Sequence, residues 1–100
     1  MELNHEKGRF YLVDNDKTIG ELTYSTVEDG VISLDHTFVD EEYRGQGLAK
    51  RLLNAVVDFS DLKGLKVVPV CEYAKVAFKI RPEIRFVLTE NYQKLLKGEN

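Results

Sequence analysis

The spacing of apolar positions changes along this chain. Arg9-Phe10-Tyr11-Leu12-Val13 and Thr18-Ile19-Gly20-Glu21-Leu22-Thr23-Tyr24 are rich in β-branched and aromatic residues, and the polar Asp14-Asn15-Asp16-Lys17 between them predicts a hairpin turn. A second turn, Glu28-Asp29-Gly30, leads into residues 31–39, whose alternation puts Ile32, Leu34, His36 and Phe38 on one face. Together these segments predict a three-stranded antiparallel meander. From Leu48 the spacing becomes helical: Leu48, Leu52, Ala55, Val56 and Phe59 recur three and four apart, with Ala49, Leu53 and Leu62 widening the stripe. This helix is expected to end near Gly64, and residues 65–70 then read as a strand with Pro69 near its end or on an edge. Ala74, Ala77 and Phe78 predict a second, shorter helix that must stop before Pro82, because the residue preceding a proline avoids the helical region. Residues 84–88 read as a short strand, and residues 89–97 as a capped helical turn or a frayed tail closed by Gly98. The order β-β-β-α-β-α predicts an α+β fold, a sheet with helices packed on it.

Composition narrows this picture. One hundred residues, 43% of them apolar, supply one core and one domain over residues 1–100, with the core at about 6–88. A chain of this size buries about 65% of its unfolded surface, enough for a fold without disulfides or structural metal. The single cysteine, Cys71, cannot form an internal bridge. One Cys and two His at no ligand spacing, with His5 and Asp16 isolated, predict no metal site. Residues 1–6 are polar and show no basic-then-apolar leader, and the longest apolar run, Val67 to Cys71, is too short to span a bilayer and contains Pro69. A soluble, reduced, cytoplasmic protein is the expectation.

Charge is unevenly placed. Residues 1–43 carry eleven acids and three bases, and residues 44–100 six acids and eleven bases, so the net charge of -3 averages two surfaces of opposite sign. Asp40-Glu41-Glu42 reads as a solvated loop, or as a group of acids that draws a cationic amine.

The basic part begins at Arg44-Gly45-Gln46-Gly47-Leu48-Ala49-Lys50, between the last meander strand and the helix. Backbone N–H groups at such a junction have no helical partner. Gly45 and Gly47 let an anion approach the backbone, Ala49 keeps the next turn uncrowded, and the helix dipole favours negative charge. Arg44, Lys50 and Arg51 add cations. A P-loop needs four residues between its first glycine and Gly-Lys-Ser/Thr, and a dinucleotide fingerprint needs a third small residue where Lys50 stands, so neither fits.

The Arg/Gln-x-x-Gly-x-Gly/Ala signature of the GCN5-related N-acetyltransferase (GNAT) superfamily does fit, at Arg44, Gly47 and Ala49. Together with Leu34-Asp35-His36-Thr37 and Val68-Pro69-Val70-Cys71, it resembles the very small acetyltransferase-like subfamily of about 100 residues, over residues 6–85. The resemblance implies a minimal GNAT-like fold in which the strand after the central helix splays from the meander. It also implies that acetyl-CoA is the cosubstrate. Its pantetheine arm would lie in the splay beside Thr37, Phe38 and Val39. Its phosphates would meet Arg44, Gly45, Gln46, Gly47, Leu48, Ala49 and Lys50. Neither nucleic acid nor membrane is an implied partner; the chain is expected to be a monomer or weak homodimer.

Two departures from larger members matter. Four turn residues stand where larger members insert helices that wall the acceptor site, which implies an open or partner-completed pocket. Where those members often carry Asn-x-x-Ala-x-x-Leu-Tyr, with the tyrosine protonating the CoA thiolate, this chain has Cys71, Ala74, Ala77 and Phe78.

Amide formation from a thioester needs a neutral amine, stabilisation of an oxyanion and a path for the amine proton. Cys71, between a strand end and a helix start, is a candidate transient acyl acceptor, or a small buried thiol filling the corner. His36 is a candidate proton relay or activator of Cys71, or a hydrogen-bonded histidine of a mixed sheet face. Tyr73 is a candidate replacement for the missing acid, or a packing residue. The expected activity is acetyl-CoA-dependent N-acetyl transfer to an unidentified amine, on a small molecule or a protein. The alternatives are an acyl-CoA-binding module with little or no transferase activity and an interaction domain that keeps only the scaffold.

Overall fold

A computed structural model describes residues 1–98. Its sheet has five strands in sequence order: β1 (Glu2–Glu6), β2 (Arg9–Asp14), β3 (Lys17–Glu28), β4 (Val31–Val39) and β5 (Lys66–Pro69). The first four are antiparallel, and β5 runs parallel to β4. Helix α1 (Leu48–Lys63) makes the β4–β5 crossover, α2 (Glu72–Ile80) follows β5, and α3 (Glu90–Gly98) ends the described chain. No helix among the described residues is long and apolar enough to cross a membrane.

Strand β1 extends the expected three-stranded meander to four. Its sequence hides the strand because His5 stands at an inward position that would ordinarily be apolar. The His5 ring stacks on Phe10 at 4.1 Å, meets the edge of Phe59 at 4.7 Å, and shares a 2.6 Å hydrogen bond with the Tyr24 hydroxyl. The β2–β3 turn is tighter than its sequence suggests. Asp14 already pairs with Lys17, and Asn15 and Asp16 take φ of 51° and 62°, the two left-handed residues of a hairpin turn that matches strand twist.

The α1 stripe packs Leu48, Leu52, Leu53, Val56 and Val57 onto Phe10, Leu12, Leu22 and Leu34 of the sheet. Leu62, expected to widen that stripe, is 82% exposed. Gly20 admits the helix closely: a Cβ there would lie 3.4 Å from both Leu12 Cδ1 and Leu52 Cδ1. The helix ends at Gly64 as expected, in a left-handed cap with the Leu65 amide donating to Ser60.

A bulge in β4 changes which side chains face the helices. Thr23 pairs with His36 but Tyr24 pairs with Leu34, so Asp35 is the extra residue. One extra residue turns every later side chain to the other face. Ile32 and Leu34 are buried on the inner face, whereas His36 and Phe38 point outward and are exposed. Thr37 and Val39 take the inner positions instead. This corrects the expectation of one face shared by Ile32, Leu34, His36 and Phe38.

The bulge also marks where the sheet opens. The last β4–β5 pair is Leu34 with Pro69, and the Leu34 carbonyl then accepts from both Val70 and Cys71 at 2.9 Å. Strand β4 continues to Val39 while the chain beyond β5 turns away into α2. The two strands therefore splay.

The end of the chain is more ordered in its packing than its sequence suggests. Residues 84–88 are not a strand. A 3-10 helix, Pro82–Val87, occupies most of them, and only Leu88 bridges to Val67. The Arg85 guanidinium donates to the carbonyls of Phe78 and Lys79 and so caps α2. Thr89 accepts from the Tyr92 amide at the start of α3, whose Leu96 is buried, so residues 89–97 form a packed helix. Gly98 lies within that helix, and residues 99 and 100 of the expected domain fall outside the described residues.

Candidate active site

The glycine turn is held from both sides. After β4, a 3-10 turn at Glu41–Tyr43 is capped by Asp40, which accepts from the Glu42 amide at 3.0 Å and pairs with Lys17 at 3.1 Å. That amide and Lys17 hold the Asp40 carboxyl below the usual range. Tyr43 donates to Asp14 at 2.8 Å, and this bond, with burial, pushes its hydroxyl up. The Tyr43–Asp14 anchor links positions 29 apart, so no local pattern in the sequence announces it.

Gly45 and Gly47 adopt φ of 81° and 75°, and a Cβ on either would meet nothing within 4 Å. Backbone conformation demands glycine here, and the space in front of the turn is open. Gly47 caps α1 without any side-chain bond, and Arg51 makes the first backbone bond, 3.0 Å to the Gly47 carbonyl. The amides of Leu48, Ala49 and Lys50 thus precede the helical ladder. Arg44 folds back, its Nε donating to the Val39 carbonyl at 3.2 Å.

A cleft of about 240 Å³ lies over this turn, walled by Val39 and Tyr43, by Leu48 to Lys50 of α1, and by Tyr73 of α2. Arg44, Gly45 and Gly47 complete its rim. Helices α1 and α2 are tied side by side on the inner face, with Arg81 donating to Asn54 at 2.8 Å.

Where the strands splay, Thr37 and Cys71 face each other, with Oγ1 and Sγ 3.3 Å apart. Cys71 is the half-buried N-cap residue of α2. Tyr73 stands in the first turn of the same helix, 37% exposed, and burial pushes its hydroxyl pKa up. Cys71 acts in the same direction and Arg81 against it. Tyr73 therefore stays a neutral phenol, able to donate a proton, through the physiological range.

Of the expected binding residues, Val39, Arg44, Gly45, Gly47, Leu48, Ala49 and Lys50 come together at the cleft. Thr37 lies in the splay with Cys71, and Gln46 is exposed at the turn. The Phe38 side chain leaves for the outer face, so only its backbone borders the splay. The structure brings Thr37, not His36, to the Cys71 thiol. Phe78, where larger members often carry tyrosine, is fully buried and supplies no proton donor. Tyr43, not anticipated from sequence, is both wall and anchor. No group of three His, Cys, Asp or Glu among the described residues is placed to hold a metal ion.

A glycine turn opening a helix beside a splayed sheet is the arrangement expected of an acetyltransferase of the GCN5-related type. Residues 9–87 match the GCN5-related N-acetyl-transferase family, and the chain belongs to it. Protein NATD1 from Homo sapiens is 38% identical over 61 residues, which cover 61% of this chain and 54% of that one. The Danio rerio NATD1 is 34% identical over 73 residues, 73% of this chain and 64% of its own length. The chain thus spans between about half and two thirds of the length of these curated relatives. A GCN5-like protein from Staphylococcus aureus, solved by NMR in solution, has a TM-score of 0.75 at 32% identity, covering 88% of this chain and 87% of that one. Escherichia coli YhbS, a GNAT family N-acetyltransferase solved with CoA, has a TM-score of 0.58 at 27% identity, covering 66% of this chain and 41% of its own.

Proposed function

We propose that this protein is an acetyl-CoA-dependent N-acetyltransferase that transfers the acetyl group directly to an amine. The observation that carries this reading is the position of the glycine-turn cleft, which runs from the start of α1 to Val39 on the unpaired β4 edge and Tyr73 of α2, while Thr37 and Cys71 meet further along the splay. The turn amides, with Arg44 and Lys50 as counter-charges, receive the pyrophosphate. The β4 edge from the bulge to Val39 has lost its strand partner and is free to bond the amide-bearing pantetheine arm. The thioester then lies near Thr37, and Tyr73 is the donor on that side.

The chemistry balances without a further reactant. The acceptor ammonium first releases one proton to solvent. The neutral nitrogen bonds to the thioester carbon, the C–S bond breaks, and the second nitrogen-borne proton is matched by the one the thiolate takes up, for which Tyr73 is the relay. Holding both reactants supplies much of the rate.

The Thr37–Cys71 contact favours a second route, in which the Cys71 thiol accepts the acetyl group before the amine does. Intact-mass measurement after incubation with acetyl-CoA separates the two: a stable or trapped increment of one acetyl group, lost in Cys71→Ala together with turnover, supports the covalent route. The primary test is binding followed by turnover. Acetyl-CoA at a hundred times its Kd should stabilise the fold by about 2.7 kcal/mol, and amine-dependent thiol release should exceed the buffer rate. Absence of a thermal shift at millimolar acetyl-CoA would reject the reading. Binding without release across a panel of amines would leave an acyl-CoA-binding module, consistent with the buried Phe78.

A further inference from the structure

The two faces of the sheet carry different chemistry. Helices α1 and α2 occupy the inner face, while Tyr92 and Leu95 of α3 flank Glu28 and the outward Val68 at the end of the outer face away from the splay. On the outer face, the pairing register places the acids Glu2, Glu6, Glu21, Glu28 and Asp35 against two permanent cations, Arg9 and Lys66, the latter opposite the outward Val31 and donating to the Phe86 carbonyl at 3.1 Å. Arg9 is already engaged by Glu6 and Glu21, the latter at 2.6 Å, and lies 3.8 Å over the Tyr11 ring. No cation among the described residues is paired with Glu2, Glu28 or Asp35. The face is therefore net acidic after its internal pairing is taken into account, with five carboxylates against Arg9 and Lys66.

This face is also unwalled beside the splay. The connections within β1 to β4 are two-residue turns, at Lys7 and Gly8, Asn15 and Asp16, and Asp29 and Gly30, and none folds over it. His36 and Phe38 are exposed there, Phe38 at 42%. The bulge that opens the splay turns Asp35 and His36 outward together. The hydroxyls of Ser25 and Ser33 donate to the two Asp35 oxygens and hold that carboxylate in one orientation. A small amine would find few enclosing walls here. A polypeptide brings its own surface, and a basic one is drawn and oriented by this charge.

Resting on the transferase reading, we infer that the outer sheet face is the docking surface for a basic, extended polypeptide, and that the acetyl acceptor is a lysine side chain of that polypeptide, entering the splay beside Asp35 and His36. The lysine ammonium loses one proton to solvent and the other is balanced by protonation of the CoA thiolate, as its nitrogen–carbon bond replaces the thioester bond.

The test is a two-dimensional amide NMR titration of the full chain with an unlabelled lysine-rich peptide, and separately with acetyl-CoA. The peptide should shift outward-facing positions such as Thr23, His36 and Phe38. Its affinity should fall several-fold between about 50 and 200 mM salt. Asp35→Asn combined with Glu28→Gln should weaken the peptide about three- to tenfold while acetyl-CoA still shifts residues 44–50 of the same, demonstrably folded, variant. The inference is overturned if the peptide shifts only the α1–α2 side or nothing, if a neutral peptide of equal length binds as well, or if a free polyamine reproduces the map when the peptide does not. Shifts that vanish on dilution with a change in sedimentation would identify a second copy of the chain as the occupant and overturn it too. Failure of acetyl-CoA to shift residues 44–50 rejects the transferase reading instead, and that outcome is read from a different set of resonances.

Discussion

Four glycines allow the role of the turn to be separated from the strain of its backbone. Gly30, Gly45, Gly47 and Gly64 all lie at φ between 69° and 81°, and a Cβ at any of them meets nothing within 4 Å. Alanine at each position therefore carries the same kind of cost, about 1–2 kcal/mol for a left-handed L-residue, with no clash to add. Gly45 and Gly47 border the cleft, while Gly30 is in the β3–β4 turn and Gly64 caps the far end of α1. The four variants should lose similar stability in urea. Their response to acetyl-CoA should differ. Misaiming one charge-assisted amide–phosphate bond costs about 1.5–3 kcal/mol, so Gly47→Ala should bind acetyl-CoA at least tenfold more weakly. At a ligand concentration of a hundred wild-type Kd, its stabilisation then falls from about 2.7 to about 1.4 kcal/mol. Differential scanning fluorimetry reads this as a ligand-induced rise of about 6–11 °C instead of about 11–22 °C. Gly30→Ala and Gly64→Ala should keep the full rise. Equal loss of the ligand response in Gly47→Ala and Gly64→Ala would refute phosphate binding at the turn.

Three other outcomes test the site. Tyr73→Phe should lower kcat by about a hundredfold, the lower end of general acid–base contributions, with little change in KM for acetyl-CoA. Because burial raises the Tyr73 pKa, the donor stays protonated until above its ordinary value of 10.0, and any alkaline fall in kcat due to it belongs above that pH; unchanged kcat in the variant would remove Tyr73 from the mechanism. Phe78→Tyr should not restore the missing acid: the ring is fully buried, so an unpartnered hydroxyl should cost about 1–3 kcal/mol without raising thiol release, and a stable, faster variant would contradict that placement. The depressed Asp40 pKa makes a stabilising contribution that is present above the ordinary Asp value and lost as pH falls through the folded value. Asp40→Asn should thus narrow its stability gap to wild type as pH drops below about 4, and a gap independent of pH in urea titrations would show that the Lys17 and Glu42 contacts do not act through charge.

The most legible parts of this chain were those governed by local chemistry. The three- and four-residue spacing from Leu48 to Phe59 is sufficient for an amphipathic helix, and glycine at 45, 47 and 64 marks backbone that other residues adopt at a cost. For the same reason the glycine turn was readable residue by residue, and six of its seven expected members converge on one cleft with Val39 of β4. The polar β1 was hidden because what makes it a strand is a histidine packed on Phe10, Phe59 and Tyr24, three residues that the sequence places far apart. The strand expected at residues 84–88 failed for a related reason: Pro82 and the Arg85 bonds to the end of α2 favour a 3-10 turn, and only Leu88 reaches the sheet.

Sequence alone determined the class of fold, the start and stop of the central helix and the place of the open, left-handed glycine turn, since each follows from periodicity or from a residue's own allowed dihedrals. Tertiary structure alone decided which side chains look into the splay. Alternation along residues 31–39 is unbroken in the sequence, and nothing local distinguishes Asp35 as the residue that will have no partner. Only pairing with β3 creates the bulge, and that one-residue slip sends His36 and Phe38 outward and brings Thr37 to Cys71.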